Sequence, residues 1–306
     1  MNVSEMYPYP AASLQPTELT MSMAAASMPP SRPVDAHKGT MGHALLVAGS
    51  QGMAGAAILA SRGCLHSGVG KLTLHTPSAN NTILQCTVPE AILHLDEDEK
   101  RVTTTVDLSP YKAIGIGPGL GTDEATARAV HGYMTACKEA GIPLVLDADA
   151  LNIIAQHPDW ANDLPEDTII TPHAAEFQRL TVKCESRKEQ IAMAKHYAGK
   201  HDIIVILKGH PTVVSIHGDL FSCPYGNSGM ATPGSGDVLT GILTGLLAQG
   251  YTPVRAALFG PWLHAIAGDC AAEELGEEYM LASDIVTHMS EAYKRLKNCR
   301  KHKDNN

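Results

Sequence analysis

Short, uniformly apolar runs, each ending at a glycine or polar residue, constrain the architecture of this chain more than any other feature. Ala44–Ala48 reads ALLVA and stops at Gly49, after which a helical pattern runs from Ala54 to His66. Ala113–Ile116, Pro143–Leu146, Thr168–Ile170 and Ile203–Leu207 repeat the theme, with a helix to about Ala140 after the first of these, and Lys71–His75 reads as a strand of period-2 character. A strand with one face in water alternates polar and apolar residues. A run without alternation must be covered on both faces, as in a parallel sheet between layers of helices. The sequence therefore predicts an α/β fold. After Pro211 the pieces become shorter and alternating, at Thr212–Ile216 and Leu220–Cys223, and predict an antiparallel edge. Helices at Asp237–Gln249, Val254–Leu275 and Ala282–Leu296 close the chain.

Composition bounds the partners. Hydrophobic residues make up 44% and charged residues 18% of 306 positions, enough for a sizeable packed core. Residues 1–36 hold six prolines and no helical or strand period, so they read as a flexible leader. One domain is expected from residue 37 to about 300, with no internal repeat. A net charge of -9 argues against nucleic acid, which needs clustered Lys and Arg. The basic stretch Lys294–Lys303 reads as a solvated helix end. Seven dispersed cysteines with no CxxC pair point to reduced thiols and a cytoplasmic location. The histidines form no HExxH or Cys/His cluster, so no metal ligands are assigned. No apolar run approaches the roughly 18–20 residues of a membrane helix, and the N-terminus lacks the basic start of a secretory signal.

In open α/β sheets ligands sit beyond the carboxyl ends of the strands. The polar residues there are Gly49-Ser50, Gly117-Pro118-Gly119, Asp147, His173 with Glu176, and Lys208. Asp147 and Asp149 fit either metal coordination or helix capping. His173 is a cleft candidate, although Thr171 as a cap and Pro172 at the first helical position would explain the same letters structurally. Lys208 ends a fully apolar strand, so its ammonium must reach an anion or water. Lys208, Gly209, His210, Pro211 and Thr212 accordingly read as nucleotide contacts. Gly115–Gly121 has GxGxGxG spacing rather than GxGxxG, and reads as a tight turn lining the cleft.

The segment with most chemistry is Asn227–Asp237, NSGMATPGSGD, in front of an apolar helix. Unpaired N–H groups and the helix dipole gather at Gly234, Ser235 and Gly236, where glycines admit a phosphate close to the main chain. Asp237 lies in the first turn, and its carboxylate is placed to take a hydroxyl proton as that oxygen attacks phosphorus. The structural alternative is that Ser235 or Asp237 merely caps the helix.

These segments together resemble a known family. His37-Lys-Gly-Thr40, the AGSxGMAGAA run of Ala48–Ala57, Ser67–Lys71, Gly117–Gly119, Leu146–Asp149, Thr171–His173, Lys208-Gly209 and Asn227–Asp237 occur in the order seen in nucleotide-dependent NAD(P)H-hydrate dehydratases. That family belongs to the ribokinase-like superfamily, and the match spans residues 37 to 296. The resemblance implies a three-layer sandwich. It also implies that the S epimer of NAD(P)H hydrate is dehydrated at the expense of ADP or ATP with Mg²⁺. Hydrated nicotinamide would contact Ala56, Gly119, His173 and Asp237. The adenine nucleotide would lie along Lys208–Thr212 and Gly236, with Asn227, Gly234 and Ser235 also among its contacts and Mg²⁺ bridging its phosphates. A homotetramer and a separate epimerase are further implications. The sequence departs from the family at Ala174-Ala175, where proline-glycine is usual, at Pro233 in place of a glycine, and at Ser235 in place of threonine. Pro233 removes one N–H donor from the phosphate loop. The alternative enzyme is a ribokinase-like kinase of a vitamin precursor, of the hydroxyethylthiazole or hydroxymethylpyrimidine type. The non-enzymatic alternative is a nucleotide-binding sensor that would not need Asp237.

Overall fold

The uniformly apolar runs become strands whose successive side chains enter opposite cores. In a computed structural model describing residues 11–28 and 32–304, Ala44 and Leu46 join one hydrophobic cluster, and Leu45 and Val47 the other. Ile204 and Ile206 likewise separate from Val205 and Leu207. This is the two-sided burial that uniform apolarity requires.

The first third of the chain holds β1 (Thr17–Glu18), α1 (Met21–Ser27), β2 (His43–Val47), α2 (Ala54–His66), β3 (Lys71–Pro77), α3 (Asn81–Thr87) and β4 (Ile92–Asp96). The middle third holds β5 (Ala113–Ile116), α4 (Glu124–Ala140), β6 (Leu144–Leu146), α5 (Ala148–Gln156), β7 (Ile169–Ile170), α6 (Ala174–Leu180), α7 (Arg187–His201) and β8 (Ile204–Leu207). Then follow β9 (Thr212–Ile216), β10 (Asp219–Cys223), α8 (Ser235–Ala248), α9 (Pro253–Leu275) and α10 (Ala282–Asp304). The strands form one sheet in the order β1-β10-β9-β8-β7-β6-β5-β2-β3-β4. Only β9 runs against the rest, pairing antiparallel with both β8 and β10. Helices α2, α8 and α9 cover one face and α4, α5 and α7 the other, giving three layers.

Helix α8 is apolar all round and buried on nearly every side, the condition of a central helix. It can approach α2 closely because both contribute glycines. A Cβ at Gly241 would lie 1.9 Å from the Ala60 carbonyl oxygen, and one at Gly63 would lie 2.5 Å from that of Val238. This contact fixes the height of the α8 N-terminus above the sheet.

The flexible leader expected over residues 1–36 gives way to an ordered arrangement at 11–28. β1 pairs in parallel with β10, Thr17 opposite Phe221. Thr20 caps α1, whose Ala24 and Ala25, with Leu19 and Met28, enter the core. Arg255 on α9 donates to the carbonyls of Ser27 and Met28 at 3.0 and 3.2 Å. Small residues between prolines give no period, yet suffice to fill a groove that the rest of the fold supplies. Residues 1–10 and 29–31 of the expected leader lie outside the described residues. Among the described residues, no helix is long and apolar enough to cross a membrane.

A candidate active site at the carboxyl ends of the strands

Three strand ends, those of β6, β7 and β8, and the start of α8 converge on Lys208. Its ammonium lies 2.8 Å from Asp147 Oδ1 and 3.9 Å from Glu176 Oε2. Burial disfavours its charge, but Asp147 and Glu176 outweigh this and hold its pKa above the ordinary lysine value. A Cβ on Gly236 would sit 3.0 Å from Lys208 Nζ, so the α8 N-terminus and the ammonium meet at one point.

Asp147 is 1% exposed and fully committed. Its second oxygen accepts from the Thr240 hydroxyl at 2.8 Å. It occupies the N-cap position of α5 without a side-chain capping bond. The next residue, Ala148, has φ +48°, a conformation that costs a non-glycine residue about 1–3 kcal/mol. The two anchors on Asp147 hold the turn there. Asp149 accepts from Gly121 N–H at 2.8 Å and from the Asn152 amide at 3.2 Å. The capping reading therefore does not describe the Asp147 side chain, and both aspartates have other partners. They tie Lys208, α8 and the glycine turn together.

Burial, and then the negative charge of Asp147, push the Asp237 carboxyl up to about 7, with Lys208 pulling the other way. A carboxyl titrating there can exchange a proton at neutral pH, as a general base must. The start of α8 corrects the capping alternative. Gly234, at φ +91°, is the N-cap, and neither Ser235 nor Asp237 caps with its side chain. A Cβ at Gly234 would also strike Leu59 at 2.2 Å. Pro233 is exposed and precedes this N-cap, so it takes no N–H from Gly236 or Asp237, whose donors open the helix.

His173 itself caps α6. Its Nδ1 accepts from Ala175 N–H at 3.1 Å, and Glu176 returns the bond to His173 N–H at 2.8 Å. The cap expected at Thr171 thus falls two residues later, because α6 begins only at Ala174. The imidazole stays half exposed, with Nε2 3.3 Å from Glu176 Oε1.

A cavity of about 670 Å³ opens beside these groups. Among the residues expected in the site, Lys208, Gly209, His210, Thr212, Asn227, Ser235, Gly236 and His173 line it. Pro211, Gly234, Asp237, Ala56 and Gly119 do not. Ala56 and Gly119 instead meet each other, since a Cβ on Gly119 would lie 2.9 Å from that of Ala56. They stand where α2 and the β5 turn approach, on the helix that packs against α8. The expected residues thus divide into a cavity set and a second set, with the Lys208–Asp147–Glu176 cluster and Asp237 electrostatically coupled to it.

Three contributors carry no local sequence signal. Thr240 anchors Asp147. His264, from α9, places Nε2 3.0 Å from the Ser235 carbonyl and is held neutral by burial, its pKa lowered to about 4. Asp269 accepts from Gly226 N–H and the Asn227 amide, both at 3.0 Å, and so fixes the cavity's far wall. Each comes from a helix interior, and only the folded helices bring it to the site.

A mostly parallel sheet between helical layers, with an anion-accepting helix start over a lysine–carboxylate cluster, defines a ribokinase-like protein. The NAD(P)H-hydrate dehydratase family profile matches residues 44–291, and the chain belongs to that family. It is 35% identical over 270 residues to the ADP-dependent (S)-NAD(P)H-hydrate dehydratase of Bacillus subtilis, covering 87% of this chain and 94% of that protein. It is 36% identical over 267 residues to the bifunctional NAD(P)H-hydrate repair enzyme Nnr of Coxiella burnetii, covering 85% of this chain but 52% of that one. The chain therefore spans about half the length of the bifunctional relatives it matches. The crystal structure of the B. subtilis ADP/ATP-dependent enzyme, co-crystallized with ATP/Mg²⁺, superposes with a TM-score of 0.79 at 31% identity, covering 92% of this chain and 99% of that one.

Proposed function

We propose that the domain from residue 37 to about 300 returns the S epimer of NAD(P)H hydrate to NAD(P)H, driven by ADP or ATP. The observation that carries this reading is Asp237, a carboxyl titrating near neutrality beside Lys208 and the α8 N-terminus. The nucleotide occupies the cavity along Lys208–Thr212, and its terminal phosphate meets the N–H groups at Gly236 and Asp237 and the Lys208 ammonium. Hydrated nicotinamide lies toward Ala56, Gly119 and His173. Asp237 takes the C6 hydroxyl proton as that oxygen bonds to phosphorus, and the bond from phosphorus to the nucleotide's bridging oxygen breaks. Phosphate then leaves C6 as the ring nitrogen supplies electrons, and loss of the C5 proton restores the double bond.

Mg²⁺ fits this site as a passenger of the nucleotide phosphates, whose charge it would offset. The Asp147 carboxylate already accepts from Lys208 and Thr240. A cytoplasmic setting agrees with seven cysteines that are all free thiols. A homotetramer and a separate epimerase belong to the same proposal on family resemblance.

The test is recovery of the dihydronicotinamide near-ultraviolet absorbance from hydrated NADH. Recovery should require ADP or ATP together with Mg²⁺. No recovery with either nucleotide would sink the proposal.

A further inference from the structure

Arg187, the first residue of α7, has an unusual set of partners. Its Nη1 donates to the Lys208 carbonyl at 3.3 Å and the Gln190 side-chain oxygen at 3.2 Å. Its Nη2 donates to the carbonyls of Leu207 and Pro211 at 3.2 and 3.0 Å. Among the described residues, no carboxylate lies within ion-pair distance of it. The guanidinium is part-buried, and that burial lowers its pKa. A cation taken from water without a counter-ion is costly, so its hydrogen bonds to the loop must offset that cost.

We infer that Arg187 is the positioning residue that shapes the Lys208–Thr212 loop for a nucleotide. The inference rests on reading that loop as the nucleotide site. Arg187 does not line the cavity, whereas Lys208, Gly209, His210 and Thr212 do. It acts through the loop, gathering three carbonyl oxygens to one side. Those oxygens carry partial negative charge and, turned toward the cavity, would repel a phosphate chain. A planar fork aims donors from two separate nitrogens at the four acceptors here, whereas lysine's ammonium offers three donors from a single point.

Gly209 completes the device. Its φ is +147°, and a Cβ there would lie 3.0 Å from Arg187 Nη2 and 3.2 Å from Cζ. The guanidinium lies directly against the glycine, so a side chain at 209 would press on it from the opposite side. The same loop can therefore be disturbed from either partner, with Arg187 present or replaced.

The experiment titrates the full chain with ADP and with ATP, each with Mg²⁺ and without hydrate, by calorimetry. Arg187→Lys should weaken both nucleotides by about tenfold or more. Gly209→Ala, which keeps the arginine, should do likewise. Hydrogen exchange at the amides of residues 207–212, Pro211 having none, should quicken in both variants. In turnover of Arg187→Lys, the nucleotide KM should rise while kcat at saturating nucleotide holds. Should Arg187→Lys fail to fold, Arg187→Gln, which also breaks the fork's grip on the three carbonyls, decides the matter. Wild-type nucleotide affinity in a folded Arg187→Lys protein would overturn this inference and leave the proposed activity standing. A wild-type chain that binds neither nucleotide would overturn the loop assignment and the inference with it.

Discussion

Asp237 should destabilise the protein it serves, and replacing it with asparagine exposes that cost. The folded state holds its proton up to about pH 7, whereas the unfolded chain releases it near the ordinary 3.8. Between those values the folded form binds more protons than the unfolded form. Stability therefore falls as pH rises through the window, and the deficit is complete above pH 7. A tenfold change in proton affinity is worth about 1.4 kcal/mol, so the roughly thousandfold change here sets a ceiling of about 4 kcal/mol. Asp237 is only half-buried, and screening by solvent reduces this to about 1–2 kcal/mol. At about 2.1 cal/mol/K per residue, the unfolding entropy of a chain this size is about 0.6 kcal/mol/K, so the deficit is worth about 2–3 °C. Asp237→Asn carries no charge at any pH. It should melt about 2–3 °C above wild type at about pH 8, with the gain falling to roughly two-fifths of that at about pH 5. It should also lose turnover while still binding ADP. Melting curves at the two pH values, with calorimetry and turnover on the same samples, check each part. An asparagine variant no more stable than wild type at the higher pH, or equally stabilised at both, would refute the reasoning.

Three further predictions concern the scaffold. Gly241→Ala forces a Cβ to within 1.9 Å of the Ala60 carbonyl and should cost about 3 kcal/mol or more in urea unfolding. Gly199→Ala, on an exposed helix position with open space around it, should instead stabilise by about 0.5–1 kcal/mol. Asp96 is buried, which disfavours its charge. Five hydrogen bonds from Asp98, Thr103 and Thr104 nonetheless hold its carboxyl well below the usual range. Its contribution is present above its unfolded pKa and lost as pH falls below it. Asp96→Ala should therefore lose about 3 kcal/mol at neutral pH by denaturant unfolding, with the gap to wild type narrowing below about pH 4.

The sheet was legible wherever strands are buried on both faces, because uniform apolarity has no other cheap explanation. It was not legible at β4, an edge strand of sequence ILHLD with Ile92 and Leu95 exposed, where neither rule of patterning applies. Helix α7 escaped as well. Its buried stripe is mostly alanine, with Met193 and Tyr197, set among lysines and histidines. At the site, strand-end logic brought Lys208, Asp147 and Glu176 together correctly, since a parallel sheet aligns its carboxyl ends. What those residues do to one another was beyond it. Asp147 serves as an internal anchor only because Thr240 and Lys208, 93 and 61 positions away, arrive at its two oxygens. The capping rules likewise misplaced the start of α6 by allowing Thr171 and Pro172 a helical turn that the β7 strand end does not permit.

The two residues of β1 do more than extend a sheet. Without them β10 would present a full row of unpaired main-chain groups, an invitation to any passing strand. Thr17 and Glu18 occupy part of that row, opposite Phe221 and Ser222, and Leu19 adds one more bond to Ser222 at 2.8 Å. The pairing then stops as the chain turns away into α1. An outer strand this short offers too little ladder to recruit another molecule. The segment thereby shortens the open edge of β10.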